Sequence, residues 1–281
     1  MMKTIVTHFS PDLDAITGVW LVKKFFPGWQ EAEIVFVPAG ETFKNEPVDV
    51  DPTILHIDTG LGKFDHHQLD EDTCAAKKVL CSIPGINRSN YIKKDEALER
   101  LVEVVNDIDH FREVYFPNPT QDFYDFGLPG ILDGWKLLFG KDDHRLLEMG
   151  MLALEGVYKK LKDKIWAEKL LKEEGVNFKT RWGRAVAVET GNDEVLHLAQ
   201  KQDYKIVVRK DPKKGNVRIK SLPDPKIDLT PVFKKLKKKD PQATWFLHIG
   251  KHMILNGSMK NPKAKPTKLT LKEIIKIIKN T

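Results

Sequence analysis

The chain has 281 residues, more than one average domain, and its 41% apolar and 31% charged residues suit packed cores rather than disorder. No apolar run approaches the roughly 20 residues that cross a bilayer, and the opening Met1-Met2-Lys3-Thr4 has no secretory apolar core, so no membrane association is expected. Cys74 and Cys81 supply neither a disulfide framework nor a CxxC pair, which points to a reducing cytoplasm and to packing roles for both thiols.

The net charge of +6 is unevenly divided. Residues 205–281 carry 21 basic and 5 acidic side chains, whereas residues 1–204 carry 25 basic and 35 acidic ones. An acidic part beside a basic part predicts a polyanionic, phosphate-containing substrate or partner; the lysine run at 234–239 taken alone reads as solvated surface.

In chain order, residues 4–7 form a short apolar strand that ends at His8. Ser10 then reads as a helix N-cap, Pro11 as the first helical position and Asp12 as a first-turn acid before the helix at 15–22. Residues 33–37 and 53–57 are two further buried strands, so the start of the chain reads β-α-β-β. The fold class is α/β, with a largely parallel sheet flanked by helices. Ligands of such sheets gather beyond the carboxyl ends of strands. His8 follows the first strand and Asp58 the third.

Residues 95–105 predict an amphipathic helix with Leu98, Leu101, Val102 and Val105 on one stripe, running into Asn106-Asp107-Ile108-Asp109-His110. The Pro-, Gly- and aromatic-rich residues 116–134 read as an irregular loop. Helical spacing then runs over residues 142–174, with Gly175 as a left-handed stop. Strands follow at 185–188, 205–208, 217–220 and 245–248, with helices at 195–202, 229–236 and 271–278 and a surface-like tail after Gly257. Three parts are expected: a metal-binding catalytic domain at 1–140, a linker helix at 141–180 and a smaller, basic, substrate-binding α/β domain at 181–281.

The acids and imidazoles of the first part spell one metal site. His8-x-x-x-Asp12-x-Asp14, Asp58, Asp65-His66-His67 and Asp107-x-Asp109 crowd carboxylates that would repel one another unless cations held them, and mixed imidazole and carboxylate donors suit first-row ions such as manganese. His8 and Asp12 converge on one cation and Asp14 addresses a second. The two oxygens of Asp58 bridge both. His66 ligates a metal, His67 meets the substrate phosphate and protonates the leaving oxygen, and Asp65 fixes a histidine ring. Asp107 and Asp109 point about 200° apart on a helix, so one of them faces the metals; the apolar stripe favours Asp109 and leaves Asp107 behind it. His110, Asp133 and His144 have no comparable constellation and read as solvated or outlying groups.

The ordered set His8-x-x-Pro11-Asp12-x-Asp14-Ala15, Asp58, Asp65-His66-His67 and Asp109 resembles the DHH phosphoesterase superfamily. That resemblance implies His8 and Asp12 on one metal, Asp14, His66 and Asp109 on the other, Asp58 shared, and His67 on phosphate. It implies two divalent ions, manganese first with magnesium or cobalt as substitutes. The second part resembles the family's DHHA1 substrate domain. Arg218 lies in a strand that offers a basic residue to substrate, and Gly250-Lys251-His252-Met253-Ile254-Leu255-Asn256-Gly257 keeps the spacing of the family's Gly-Gly-His-x-x-Ala-Ala-Gly loop. Lys251 replaces its second glycine and Leu255-Asn256 its two alanines. The implied substrate contacts are therefore His67, Arg218, Lys251 and His252.

The expected activity is metal-assisted hydrolysis of phosphodiester bonds in short oligonucleotides, single-stranded RNA or DNA, or a cyclic dinucleotide. A manganese pyrophosphatase and a non-catalytic nucleic-acid-binding protein are the rivals. The Arg218 and His252 pattern argues against the first, and a complete ligand set would be superfluous to the second.

Overall fold

The computed structural model describes residues 2–84, 95–257 and 261–281. Strand β1 (Thr4–His8) lies between β2 (Glu33–Val37) and β3 (Ile54–His56), and all three are parallel, with Ile5 opposite both Ile34 and Leu55. Helix α1 (Leu13–Phe25) makes the first crossover. Its residues 13–22 are all buried, because it is covered on every side rather than along one stripe. Gly18 allows the closest approach: a Cβ there would lie 2.5 Å from Cγ2 of Ile57. Helices α2 (Ala75–Ser82) and α3 (Glu96–Asp109) pack against α1 and against each other.

The start of α1 differs from expectation. Ser10 has a left-handed φ of 49°, and the N-cap is Asp12, whose Oδ1 accepts from the Ala15 N–H at 3.0 Å. The carboxylate satisfies a first-turn amide that Ser10 is too far back to reach. Helix α3 also runs further than its apolar stripe indicated. Asp95 caps it by accepting from the amides of Ala97 and Leu98, and it continues through Asp109.

Residues 116–134 are not one irregular loop. Single 3₁₀ turns at Arg112–Tyr115 and Asp122–Tyr124 lead into α4 (Leu128–Phe139), with Pro129 in its first turn and Leu132 buried. The proline that reads as a breaker begins this helix, where its missing N–H costs nothing.

Helix α5 (Asp143–Glu174) has 32 residues, and the chain divides within it into two compact units, Met1–Lys162 and Asp163–Thr281. Its early turns anchor in the first unit. Trp20 Nε1 donates to Glu155 Oε1 at 2.9 Å, and the Tyr158 hydroxyl donates to Asp95 Oδ2 at 2.6 Å. Its last turns, through Ala167 and Leu171, belong to the core of the second unit. Gly175 ends the helix by close approach rather than by a positive φ: its Cβ would sit 2.2 Å from the Leu171 carbonyl oxygen.

The second unit is a smaller α/β body with a mixed six-stranded sheet in the order β4–β5–β6–β7–β9–β8: β4 (Val176–Thr180), β5 (Gly183–Glu189), β6 (Ile206–Lys210), β7 (Val217–Ser221), β9 (Met253–Asn256) and β8 (Trp245–Leu247). Strands β4 and β9 were not expected. The first is an edge strand with one buried side chain, Phe178, and so lacks an alternating signal. Helices α7 (Thr230–Lys239) and α8 (Leu271–Lys279) cover one face, and α6 (Glu194–Lys201) with the end of α5 covers part of the other. The tail read as surface begins on residues 258–260, which lie outside the described residues.

Asn256 ties β9 to this frame. Fully buried, it donates to the carbonyls of Thr244 and Lys265 and accepts from the Thr267 amide at 2.6 Å. Asn256→Ala strands those three backbone groups and should destabilise the chain by about 3 kcal/mol, read by denaturant unfolding. Of the two cysteines, Cys74 is buried at the start of α2 as expected, but Cys81 is exposed. Among the described residues no helix is long and apolar enough to cross a membrane.

Candidate metal centre

The carboxyl edge of the three-stranded sheet carries the ligands. His8 is the last residue of β1. Asp58 stands just beyond β3 with a left-handed φ of 57°, a conformation that Asp tolerates better than most residues. A bridge between Ile57 and Phe64 closes the intervening loop, and the Asp58 amide donates to the Phe64 carbonyl at 3.0 Å. That closure explains the seven-residue spacing: Asp58 and Asp65-His66-His67 leave the same bridge side by side. Asp12 and Asp14 come from the start of α1, and Asp109 from the last turn of α3.

Three groups of ligand atoms lie within 4.8 Å of one another: His8, Asp12 and Asp58; Asp14, His66 and Asp109; and Asp58, His66 and His67. Asp58 belongs to the first and third sets, and His66 to the second and third, so the two residues link all three. Its Oδ2 is 3.3 Å from His8 Nε2 and its Oδ1 is 3.5 Å from His66 Nε2, which in turn is 3.5 Å from Asp109 Oδ2 and 3.8 Å from Asp14 Oδ2. Two of these buried atoms, Asp58 Oδ1 and His66 Nε2, have no hydrogen-bond partner. As a rule, the buried polar atoms of folded proteins find hydrogen-bond partners. Orphaned donor atoms converging from carboxylates and imidazoles fit divalent metal cations.

Secondary structure and neighbouring groups orient the set. The N-terminus of α2 holds the Asp14 carboxylate, whose oxygens accept from the amides of Ala75 at 2.7 Å and Ala76 at 2.8 Å. His8 Nδ1 bonds the Phe9 carbonyl at 2.9 Å, which leaves Nε2 for the centre. Electrostatically the cage is frustrated without cations. Burial pushes Asp14 well above the ordinary carboxylate range, and the charges of Asp58 and Asp109 push it further. Asp109 is raised by burial too. Burial would also raise Asp58, but the facing imidazoles of His66 and His8 bring it down to about 2. His66 is raised to about 9, chiefly by the Asp58 carboxylate that faces it. His8, which burial alone would lower, also reaches about 9 through Asp58, the Phe9 carbonyl and Asp12.

Asp65 serves His67. Its Oδ1 lies 2.7 Å from His67 Nδ1, and it also accepts from the amides of Leu61 and His67, so a buried carboxylate fixes a half-exposed ring. Asp65→Asn should lower turnover by about 10-fold to 100-fold without weakening metal binding, a split read by steady-state kinetics and calorimetry. Asp107 faces away from the cage and pairs with Arg112 at 2.9 Å, whereas Asp109 faces into it. His110 stands behind Asp109 at 3.7 Å, and His144 packs edge-on against Phe36.

In the second unit Arg218 lines a cavity of about 510 Å³ with Arg209, Lys214, Lys220, Asp193 and Asp211. Asp193 pairs with both arginines, at 2.9 Å from Arg209 Nε. Lys251 and His252 do not line this cavity. Lys251 keeps a glycine-like φ of 58° and pairs with Asp228 at 3.3 Å, while His252 Nδ1 bonds the Ser221 hydroxyl at 3.1 Å. Sequence reasoning missed Asp193 and Arg209. The period-2 alternation of charge along β7 was a signal for the basic face, but the pairing of Arg209 opposite Arg218 follows only from the register.

No protein-family model matches the chain, and no curated protein is significantly similar to it. Solved structures matched with high probability include a member of the s1p family of ribosomal proteins described by its DHH domain. It is 12% identical with a TM-score of 0.32, over 99% of this chain and 85% of that one. RecJ from Thermus thermophilus, solved with Mg2+, is 13% identical with a TM-score of 0.32; the match covers 99% of this chain but only 49% of RecJ. An exopolyphosphatase-related protein from Bacteroides fragilis is 12% identical with a TM-score of 0.27, over 99% and 91% of the two chains. Likeness at these scores leaves the ligand cage itself as the ground for function.

Proposed function

We propose that the chain is a dinuclear-metal phosphoesterase of the DHH type that hydrolyses phosphodiester bonds in short oligonucleotides, single-stranded nucleic acid or a cyclic dinucleotide. The observation that supports this most is the position of Asp58, which groups with His8 and Asp12 through one oxygen and through the other faces His66, a member of the set with Asp14 and Asp109. Each set would hold one divalent ion, manganese by preference. When bound, such a pair supplies Lewis-acid charge to the phosphoryl oxygens and lowers the pKa of water.

The chain's own groups do the rest. Asp58 fixes the spacing of the two sets, and the α2 amides keep Asp14 oriented. The Asp65–His67 pair sets an imidazole beside the cage whose Nδ1 is engaged, so that its Nε2 is free to contact phosphate and to give a proton to the leaving oxygen. Arg218, with Arg209, Lys214 and Lys220, forms a separate cationic surface for the anionic substrate in the second unit.

The test is a product analysis on labelled di- to decanucleotides, cyclic dinucleotides and pyrophosphate with manganese supplied. Release of mononucleotides supports the reading. Hydrolysis of pyrophosphate alone would replace it with a pyrophosphatase, and tight nucleic-acid binding without cleavage under several divalent ions would replace it with a binding protein.

A further inference from the structure

Beside the cage lies a cavity of about 470 Å³, within the roughly 300–1,000 Å³ range of small-ligand sites. One wall is the ligand set itself, through Asp12, Asp14, His66, His67 and Asp109. The rest of the lining is of different chemistry: Leu13, Ile108, Phe111, Pro129 and Leu132 are apolar, Glu113 and Asp133 are acidic, and Lys136 is the one cation among them.

This second wall is a poor match for inorganic pyrophosphate or polyphosphate. Two carboxylates would repel such a chain, and five apolar side chains would give it nothing. The wall matches a molecule with an anionic end, a flat apolar body and hydrogen-bond donors. Two further features point to a ligand. Glu113 Oε2 is buried and has no hydrogen-bond partner, which is costly unless a bound donor supplies one. Phe111 holds a left-handed φ of 56° while 74% exposed, so its ring faces water at a backbone conformation that bulky residues avoid, and no burial offsets the strain.

We propose that this cavity is a nucleoside subsite. The Phe111 ring stacks on a nucleobase, Glu113 accepts a hydrogen bond from a ribose hydroxyl or base amine, and Lys136 faces the phosphate between the nucleoside and the cage. The subsite makes nucleotides the substrate class, and this inference rests on the phosphoesterase reading above. Base stacking on an aromatic side chain is sequence-tolerant, so the subsite selects for nucleic acid over polyphosphate without selecting one base strongly.

The experiment measures binding rather than turnover. AMP, ribose 5-phosphate and inorganic phosphate are titrated into the manganese-loaded full chain by calorimetry, alongside hydrolysis of the substrate panel. AMP should bind about 10-fold or more tighter than ribose 5-phosphate. Phe111→Ala should abolish that advantage while leaving ribose 5-phosphate unaffected, Phe111→Tyr should keep it, and Glu113→Ala should weaken AMP about 10-fold. Truncating an exposed ring leaves the core intact, and the tyrosine variant controls for folding. Equal affinity for AMP and ribose 5-phosphate, or an advantage that survives Phe111→Ala, overturns the subsite. If phosphodiesters are cleaved without a base advantage, the subsite fails and the phosphoesterase stands. A base advantage without hydrolysis of any phosphoester supports the subsite and removes the phosphoesterase.

Discussion

Asp58→Asn should reduce manganese-dependent turnover by about 10³-fold while leaving the far-UV circular dichroism spectrum unchanged. The substitution keeps the shape of the side chain and removes one charge. In the wild-type cage that charge lies 3.3 Å from His8 Nε2 and 3.5 Å from His66 Nε2. Among the described residues no other belongs to both the His8–Asp12 set and a His66 set, so its loss uncouples the two halves of the site rather than weakening one. Replacement of Asp107 by Asn is the control: it disturbs an ion pair with Arg112 outside the cage. Equal turnover in Asp58→Asn and wild type would dismiss the shared-carboxylate arrangement.

The second large effect is linkage between metal, protons and stability. His8 and His66, raised to about 9, both carry protons at pH 7 in the metal-free protein and serve as the counter-charges of the cage. A divalent ion must displace them, so manganese uptake at pH 7 should release about two protons, measured as the dependence of binding heat on buffer ionisation enthalpy. The sign for the metal-free chain follows. The two histidines contribute stability in full below their unfolded value of 6.5 and lose it as pH rises through about 9. Asp14 and Asp109, raised by burial, act in the same sense, because their ionisation becomes dearer in the folded chain. Asp58 acts oppositely: its contribution is present above 3.8 and disappears as pH falls through about 2. The melting temperature of chelated protein should therefore fall between pH 6.5 and 9, and manganese should restore it, by about 2.7 kcal/mol per site at a hundredfold excess over Kd. A chelated protein whose melting temperature is flat across that window would contradict the proton-filled cage.

What could be read along the chain was whatever local chemistry writes locally. The parallel strands at the start, the helix capped near Asp95 and the long helix before Gly175 each carry their period and their stop signals within a dozen residues. The ligands were legible because strand ends and helix starts deliver side chains to one edge of an α/β sheet, and the His8, Asp12, Asp14 and Asp58 positions all fall at such places. Residues 116–134 were misread because Gly and Pro mark both loops and helix starts, and only the burial of Leu132 separates the two cases.

By itself, then, the sequence determined the α/β class, the carboxylate and imidazole inventory, and the division of charge along the chain. Tertiary structure alone decided that the α2 amides hold Asp14, that Arg112 draws Asp107 away from the cage, that Asp193 engages Arg209 and Arg218, and that Phe111 and Glu113 stand beside the ligands. The physical reason is distance along the chain. Period and capping act over a few residues, whereas most of these contacts join residues tens of positions apart, and their geometry exists only after the core has packed.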